Sequence, residues 1–405
     1  MQIHDFFLQL VVILLSARIL GEFAAKLNIP SVIGELSAGI LLGPSLFNII
    51  EPTETIKLLA ELGIIFLLFE VGIETNIARL TKTGIKPFIV ALGGVVMPFI
   101  LGFVTSYLVF DLSLIISLFV ACTLTATSIG ITVRILYDLK QQNSDESQIV
   151  LGASVIDDVL GIILLSVLYE FSMGGGVSIF NIGKILIFIL LYLILSPITA
   201  RLISGVIKHY ESKSDIPGLL PSTIIASILF FAWLASIVSA PPLLGGFAAG
   251  LALSKQFRLP FAQVDINEKF LHRVEQQMKP IIHLFVPIFF VEVGLSLNLR
   301  EIQWDSSFIW TFSLSILLAA VIGKLASGFL LFKENKWVKW AVGLAMIPRG
   351  EVGLIFAEVG RKINVFTQDL YATMIIVITV TTIFTPILMR YFYSYKQKIE
   401  AQTEI

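Results

Sequence analysis

Apolar runs of about 20 residues recur from one end of this chain to the other, broken only by short stretches carrying charge, proline or glycine. A helix needs about that many residues to cross about 30 Å of hydrocarbon at 1.5 Å per residue. With 56% hydrophobic and only 14% charged residues in 405, an ordinary soluble globular fold is excluded. No stretch is left over for a soluble regulatory domain, so residues 1–405 read as one membrane unit. The first run, Phe6 to Ala25, has no basic segment before it and no small-residue cleavage pattern after it, which predicts a retained helix. The single cysteine, Cys122, excludes a disulfide framework or a cysteine metal site.

The runs divide into thirteen expected spans, beginning near residues 5, 30, 56, 85, 112, 148, 179, 219, 241, 279, 308, 337 and 369. The expected class is an all-α polytopic membrane protein. Short cytoplasmic loops collect Lys and Arg. With the N-terminus outside and the C-terminus cytoplasmic, 20 of the 28 basic residues fall on the inner side and 5 on the outer. Arg18, Lys324 and Arg349 stay within spans.

The chain also resembles itself. Phe69-Glu70-Val71-Gly72 reads like Val291-Glu292-Val293-Gly294, and Gly34 to Leu41 reads like Gly245 to Ala252. In both cases the partner lies seven spans further on, and an odd offset inverts orientation. The expected layout is therefore a 6+1+6 inverted repeat, an architecture of alternating-access carriers whose sites lie near the bilayer midplane.

Ionisable side chains at membrane depth are costly and mark substrate paths. Asp157 and Asp158 lie about ten residues into a span, roughly 14 Å deep at 1.5 Å per residue, in an apolar pattern that continues on both sides. Adjacent helical residues diverge by about 100°, so the two carboxylates face different surroundings. Lys324, at similar depth, needs a counter-charge, and either aspartate can supply it. Span five carries Thr123 to Thr132, rich in Thr, Ser and Gly, and span twelve carries Ile347-Pro348-Arg349-Gly350-Glu351-Val352-Gly353. Both read as interrupted helices, and non-helical backbone at that depth must line a polar cavity. Arg349 and Glu351 are expected to brace the second interruption, with Glu35, Glu70 or Asp157 as partners for the arginine.

At these motifs the chain resembles the sodium/proton branch of the cation:proton antiporter-2 family, related to the membrane part of Kef-type potassium efflux systems. The resemblance runs through Gly34 to Pro44, Phe66 to Glu74, Thr125 to Ile131, Ala153 to Gly161, Pro287 to Leu295, Gly323-Lys324 and Pro348 to Gly353. It implies two crossed broken helices, in spans five and twelve, within a core that moves in elevator fashion against a dimerisation scaffold. Approximate bounds are 56–171 and 279–393 for the core and 1–55 and 179–254 for the scaffold. It further implies Asp158 as the acid that binds Na⁺ and protons, Asp157 beside it as the partner of Lys324, and Thr127 and Ser128 as supporting oxygens. The implied activity is electrogenic exchange of sodium or lithium for protons, with potassium/proton exchange and a gated cation channel as the alternatives. No catalytic residue is expected, because His4, His209, His272 and His283 lie at span ends or in loops, away from any nucleophile. Beyond the transported ions no cofactor is expected. The expected partners are the bilayer of the cell (inner) membrane and a second copy of the chain, with no nucleic acid and no nucleotide-binding domain.

Overall fold

The computed structural model describes residues 3–27, 30–75, 82–172, 179–211, 216–254, 268–302 and 304–403. Among these every regular element is helical. In chain order they are α1 (Ile3–Lys26), α2 (Ser31–Leu42), α3 (Glu54–Glu74), α4 (Lys86–Val104), α5 (Leu114–Thr123), α6 (Ile129–Asp138), α7 (Asp145–Ser172) and α8 (Ile179–Glu211). There follow α9 (Leu219–Ile237), α10 (Leu243–Leu253), α11 (Glu268–Leu295), α12 (Ser307–Phe329), α13 (Lys336–Ala345), α14 (Glu351–Lys362) and α15 (Gln368–Thr403).

Eight described helices are long and apolar enough to cross a membrane. The other expected spans fail that measure for separate physical reasons. α2 and α10 are short, of 12 and 11 residues. α3 is crowded with Glu54, Lys57, Glu61, Glu70 and Glu74. The spans near 112 and 337 are each split into two half-length helices. On α12 the residues Leu314, Leu318 and Ile322 form an exposed stripe at four-residue spacing, while Ile316, Ala320, Gly323 and Lys324 on other faces are buried. One apolar face outward and one polar-bearing face inward is what hydrocarbon solvent on one side and protein on the other require.

The chain clusters into two compact units. One comprises Met1–Pro52, Thr83–Val177 and Phe290–Ile405, and the other Thr53–Lys82 and Ser178–Phe289. In the first unit Phe119 of α5, Phe312 and Ile316 of α12, Phe356 of α14 and Met374 and Val377 of α15 share one apolar cluster. That cluster holds both broken helices against two continuous ones.

Among the places where backbone packs directly on backbone, two correspond to each other, one in each unit. A Cβ added to Gly39 would lie 2.0 Å from the Val291 carbonyl oxygen, and one on Gly294 2.2 Å from that of Leu36. In the other unit a Cβ on Gly250 would lie 2.1 Å from the Phe69 carbonyl oxygen, and one on Gly72 2.4 Å from that of Phe247. Helices approach so closely only through glycine. The four glycines and four carbonyls are the equivalent positions of the two sequence matches.

Val264, Phe270, Leu271 and Val274 among the charges of Phe261 to Lys279 read in the sequence as an amphipathic helix lying on the cytoplasmic interface. Residues 261–267 lie outside the described residues, and from Glu268 the helix runs without interruption into the span as α11, through Pro280 and Pro287. Its apolar residues Phe270, Leu271, Val274 and Met278 are buried, so packing continues the helix across a proline that removes one backbone hydrogen bond.

Candidate functional site

The two interruptions fall where the Thr/Ser cluster and the Pro-Arg-Gly run predicted them, and both belong to the first unit. α5 ends at Thr123, where two hydroxyls bond back to the last turn: Thr123 donates to Phe119 O and Thr125 to Cys122 O, both at 2.8 Å. After a turn at Leu124 and Thr125 the chain is non-helical to Ser128, whose hydroxyl caps α6 by accepting from Ile131 N. In the second interruption Pro348 has no N–H to donate and biases Ile347 away from helical geometry. Gly350 follows because a Cβ there would stand 2.6 Å from the Ser128 hydroxyl.

The interrupted segments cross in contact. Ser128 N donates to Pro348 O at 2.9 Å, Thr132 Oγ1 to Ala345 O at 2.8 Å and Thr127 Oγ1 to Met346 O at 3.3 Å. Four of the ionisable side chains buried in this unit bear on the crossing. Asp157 and Asp158 of α7 are 2% and 5% exposed, and Lys324 of α12 and Arg349 are fully enclosed. Asp157 Oδ2 accepts from Thr127 N at 2.8 Å and lies 3.5 Å from the Lys324 ammonium, which also donates to Thr125 O. Asp157 Oδ1 is buried and accepts no hydrogen bond from the described residues. Asp158 is near enough for its charge to act on Lys324.

Arg349 departs from expectation. Its guanidinium donates to Ile347 O at 3.1 Å and to Leu124 O, one carbonyl from each interruption, and no carboxylate among the described residues lies within ion-pair distance. Thr382 of α15 in turn donates to Arg349 O. Broken helices free carbonyl oxygens at depth, and five guanidinium donors satisfy them as well as an acid would. The side chain of Glu351 lies outside the described ones; its backbone opens α14.

Glu35, one of the partners considered for Arg349, serves Arg134 instead. Arg134 lies 3.5 Å from Glu35 Oε1 and 3.2 Å from Asp138 Oδ1, while Ser31 bridges Arg134 and Asp138 through 3.0 Å hydrogen bonds. Counting Arg134 among loop charges concealed this network. The Arg134–Asp138 spacing of four residues was its one sequence signal.

A sequence model of the family described as sodium/hydrogen exchanger, transmembrane, matches residues 11–390. The chain belongs to that family. It is a multi-pass membrane protein, and the family expected from its motifs is the one found. Its relatives include the high-affinity Na⁺/H⁺ antiporter NhaS3 of Synechocystis, 33% identical over 97% of this chain and 91% of that one. Another is the Na⁺/H⁺-K⁺ antiporter GerN of Bacillus cereus, 31% identical over 97% and 98% respectively. Among solved structures, the sodium proton antiporter MjNhaP1 of Methanocaldococcus jannaschii superposes with a TM-score of 0.69 at 19% identity, covering 96% of this chain and all of that one. At that identity the likeness speaks for the fold.

Proposed function

We propose that this chain is a sodium/proton antiporter in which Asp158 binds cation and proton in competition and Asp157, paired with Lys324, couples a second proton. The observation that carries this is the Asp157–Lys324 contact at the crossing of two broken helices. The names of relatives matching nearly the whole chain support the ion pair exchanged.

In the proton-loaded site Asp158 is neutral, so the Asp157 carboxylate, the Lys324 ammonium and the Arg349 guanidinium sum to a charge of plus one in largely buried surroundings. A cation reaching Asp158 upsets that balance unless positive charge leaves. If it draws Asp157 into its coordination, Lys324 loses its counter-charge, and release of a proton from the ammonium leaves the site neutral. One proton from Asp158 and one from Lys324 then leave for each Na⁺, and exchange is electrogenic. Thr127 and Ser128 supply backbone and hydroxyl groups that hold the crossing in register.

The carrier has thirteen spans in a 6+1+6 inverted repeat, N-terminus outside, in the cell membrane. The matched glycine contacts support the repeat. A core of about 56–171 and 279–393 moves in elevator fashion against a scaffold of about 1–55 and 179–254 that pairs two copies. Li⁺ is carried like Na⁺. Potassium/proton exchange is the second reading, favoured by the name of the Bacillus cereus relative. The test is flux in proteoliposomes under an imposed pH gradient with Na⁺, Li⁺ or K⁺ added in turn, for the native chain and for Asp158→Asn. Exchange lost in a folded Asp158→Asn carrier is expected; retained pH-driven Na⁺ transport there moves the site elsewhere, and cation flux not limited by protons makes the chain a channel.

A further inference from the structure

The charges around Arg134 join two parts of the first unit that elevator motion would drive past each other. On one side α2 is fixed to α1, because a Cβ added to Gly34 would lie 2.1 Å from the Leu20 carbonyl oxygen and backbone rests on backbone there. On the other side α6 is fixed to the crossing, where Thr132 donates to Ala345 O and Ser128 N to Pro348 O. Arg134 follows Thr132 by two residues and reaches from α6 to α2. Its guanidinium lies 3.5 Å from Glu35 Oε1 and donates at 3.0 Å to the Ser31 hydroxyl, which in turn donates to Asp138 Oδ2 at 3.0 Å.

The charges are arranged so that separating the two helices strands none of them. Arg134 keeps Asp138, 3.2 Å away and one turn along its own helix. Glu35 keeps the charge of Arg18 on α1, which already acts on it. Breaking a buried ion pair is expensive when one charge is left alone, and a second partner on each side removes most of that cost. The link across the gap is also the loose one: the pair stands at 3.5 Å, and Glu35 Oε2, though buried, accepts no hydrogen bond from the described residues. Ser31 and Asp138 form part of the wall of a polar cavity of about 450 Å³, so the groups part into polar surroundings rather than hydrocarbon.

We propose that this contact is a latch, closed in the conformation of this structure and opened each time the core carries its site across the membrane. It rests on the elevator reading, in which α2 belongs to the scaffold and α6 to the core. Ser128, at the crossing, and Arg134 are six residues apart on one helix, about 9 Å. A shift of the crossing is therefore carried along α6 to the guanidinium, and the latch opens with the movement of the site.

The first test uses the full chain in proteoliposomes with Ser31→Cys and Asp138→Cys combined, since Ser31 Oγ and Asp138 Oδ2 are 3.0 Å apart and the native Cys122 is fully buried. Bridging the thiols with a two-carbon bis-methanethiosulfonate reagent is expected to slow Na⁺/H⁺ exchange at least about tenfold. Dithiothreitol restores the rate, and the two single-cysteine carriers treated alike keep theirs. A bridged carrier that exchanges at its reduced rate overturns the proposal, because α2 and α6 then travel together; so does a pair of thiols that cannot be bridged. The second test needs no transport. Ala38 is fully buried and lies one turn from Glu35 on the same face of α2, so the labelling rate of Ala38→Cys by an aqueous thiol reagent reports opening. Arg134→Gln removes the hydrogen bonds to Ser31 and Glu35 and is expected to raise that rate at least about tenfold, the weight of one hydrogen bond to a charged group. An unchanged rate overturns the latch. Exchange absent from the native and the reduced carriers alike is a failure of the antiport reading, and the labelling rates then decide the latch alone.

Discussion

Replacing Arg349 by alanine tests what the arginine does at the crossing. The native guanidinium joins Leu124 O of one interruption to Ile347 O of the other while fully buried. Its loss leaves both carbonyls unsatisfied and removes one of two positive charges from a cluster that also holds two acids. A hydrogen bond to a charged group contributes about 1.5–3 kcal/mol, so two give about 3–6 kcal/mol. Deleting one member of a buried charge set independently costs about 3–5 kcal/mol. At about 2 °C per kcal/mol for larger domains, the thermal midpoint should fall by about 6–10 °C. Arg349→Lys should recover part of this, because one amine keeps the charge without the two-directional fork. The assay is thermal unfolding in detergent, run beside the Na⁺ dependence of exchange in proteoliposomes. Expected is a large stability loss with apparent Na⁺ affinity changed less. An unchanged midpoint with affinity reduced tenfold would place Arg349 on the ion path and refute the bracing role.

Three further outcomes are expected. Lys324→Gln should change the number of charges moved per Na⁺, measured as reversal potentials and as currents on solid-supported membranes; unchanged stoichiometry removes the lysine from the proton path, and native Na⁺ flux indifferent to membrane potential refutes the two-proton scheme. Gly39→Ala should destabilise the carrier by about 1–3 kcal/mol through overpacking against Val291 O, although helix propensity alone favours alanine by about 1 kcal/mol; a raised thermal midpoint would show that the helices can move apart. Single cysteines at positions 2 and 402 should label from opposite faces of the membrane, Cys122 being fully buried, and labelling of both from one face would sink the thirteen-span layout.

The parts of the site that were legible in the sequence were those where chemistry is local. Proline, glycine and clustered hydroxyls announce a broken helix wherever it lies; the break at 124–128 sits within the first such segment, and that at 346–350 begins one residue before the second. Lys324 and the aspartates could be paired by depth alone, because the helical rise converts residue number into distance; the choice of Asp157 came from the family resemblance. The partners of Arg349 were hidden. Backbone carbonyls have no letter in a sequence, so only acids were candidates. Glu35 and Arg134 escaped for the opposite reason: 99 residues apart, they carry no mutual periodicity, and the arginine looked like an ordinary loop charge.

The glycine contacts also bear on how the protein is made. Gly72 meets its partner Phe247 only after about 175 further residues have been synthesised, and Gly39 meets Val291 after about 250. At about 5–20 residues per second, α3 waits on the order of 10–35 s after emerging before α10 exists to cover it. During that interval its tight glycine face has none of its final neighbours from α10. The native pairing is thus closed late and across a long loop, which is entropically slow. Substitutions along this seam are expected to lower the yield of inserted protein before they alter the activity of any molecule that completes assembly.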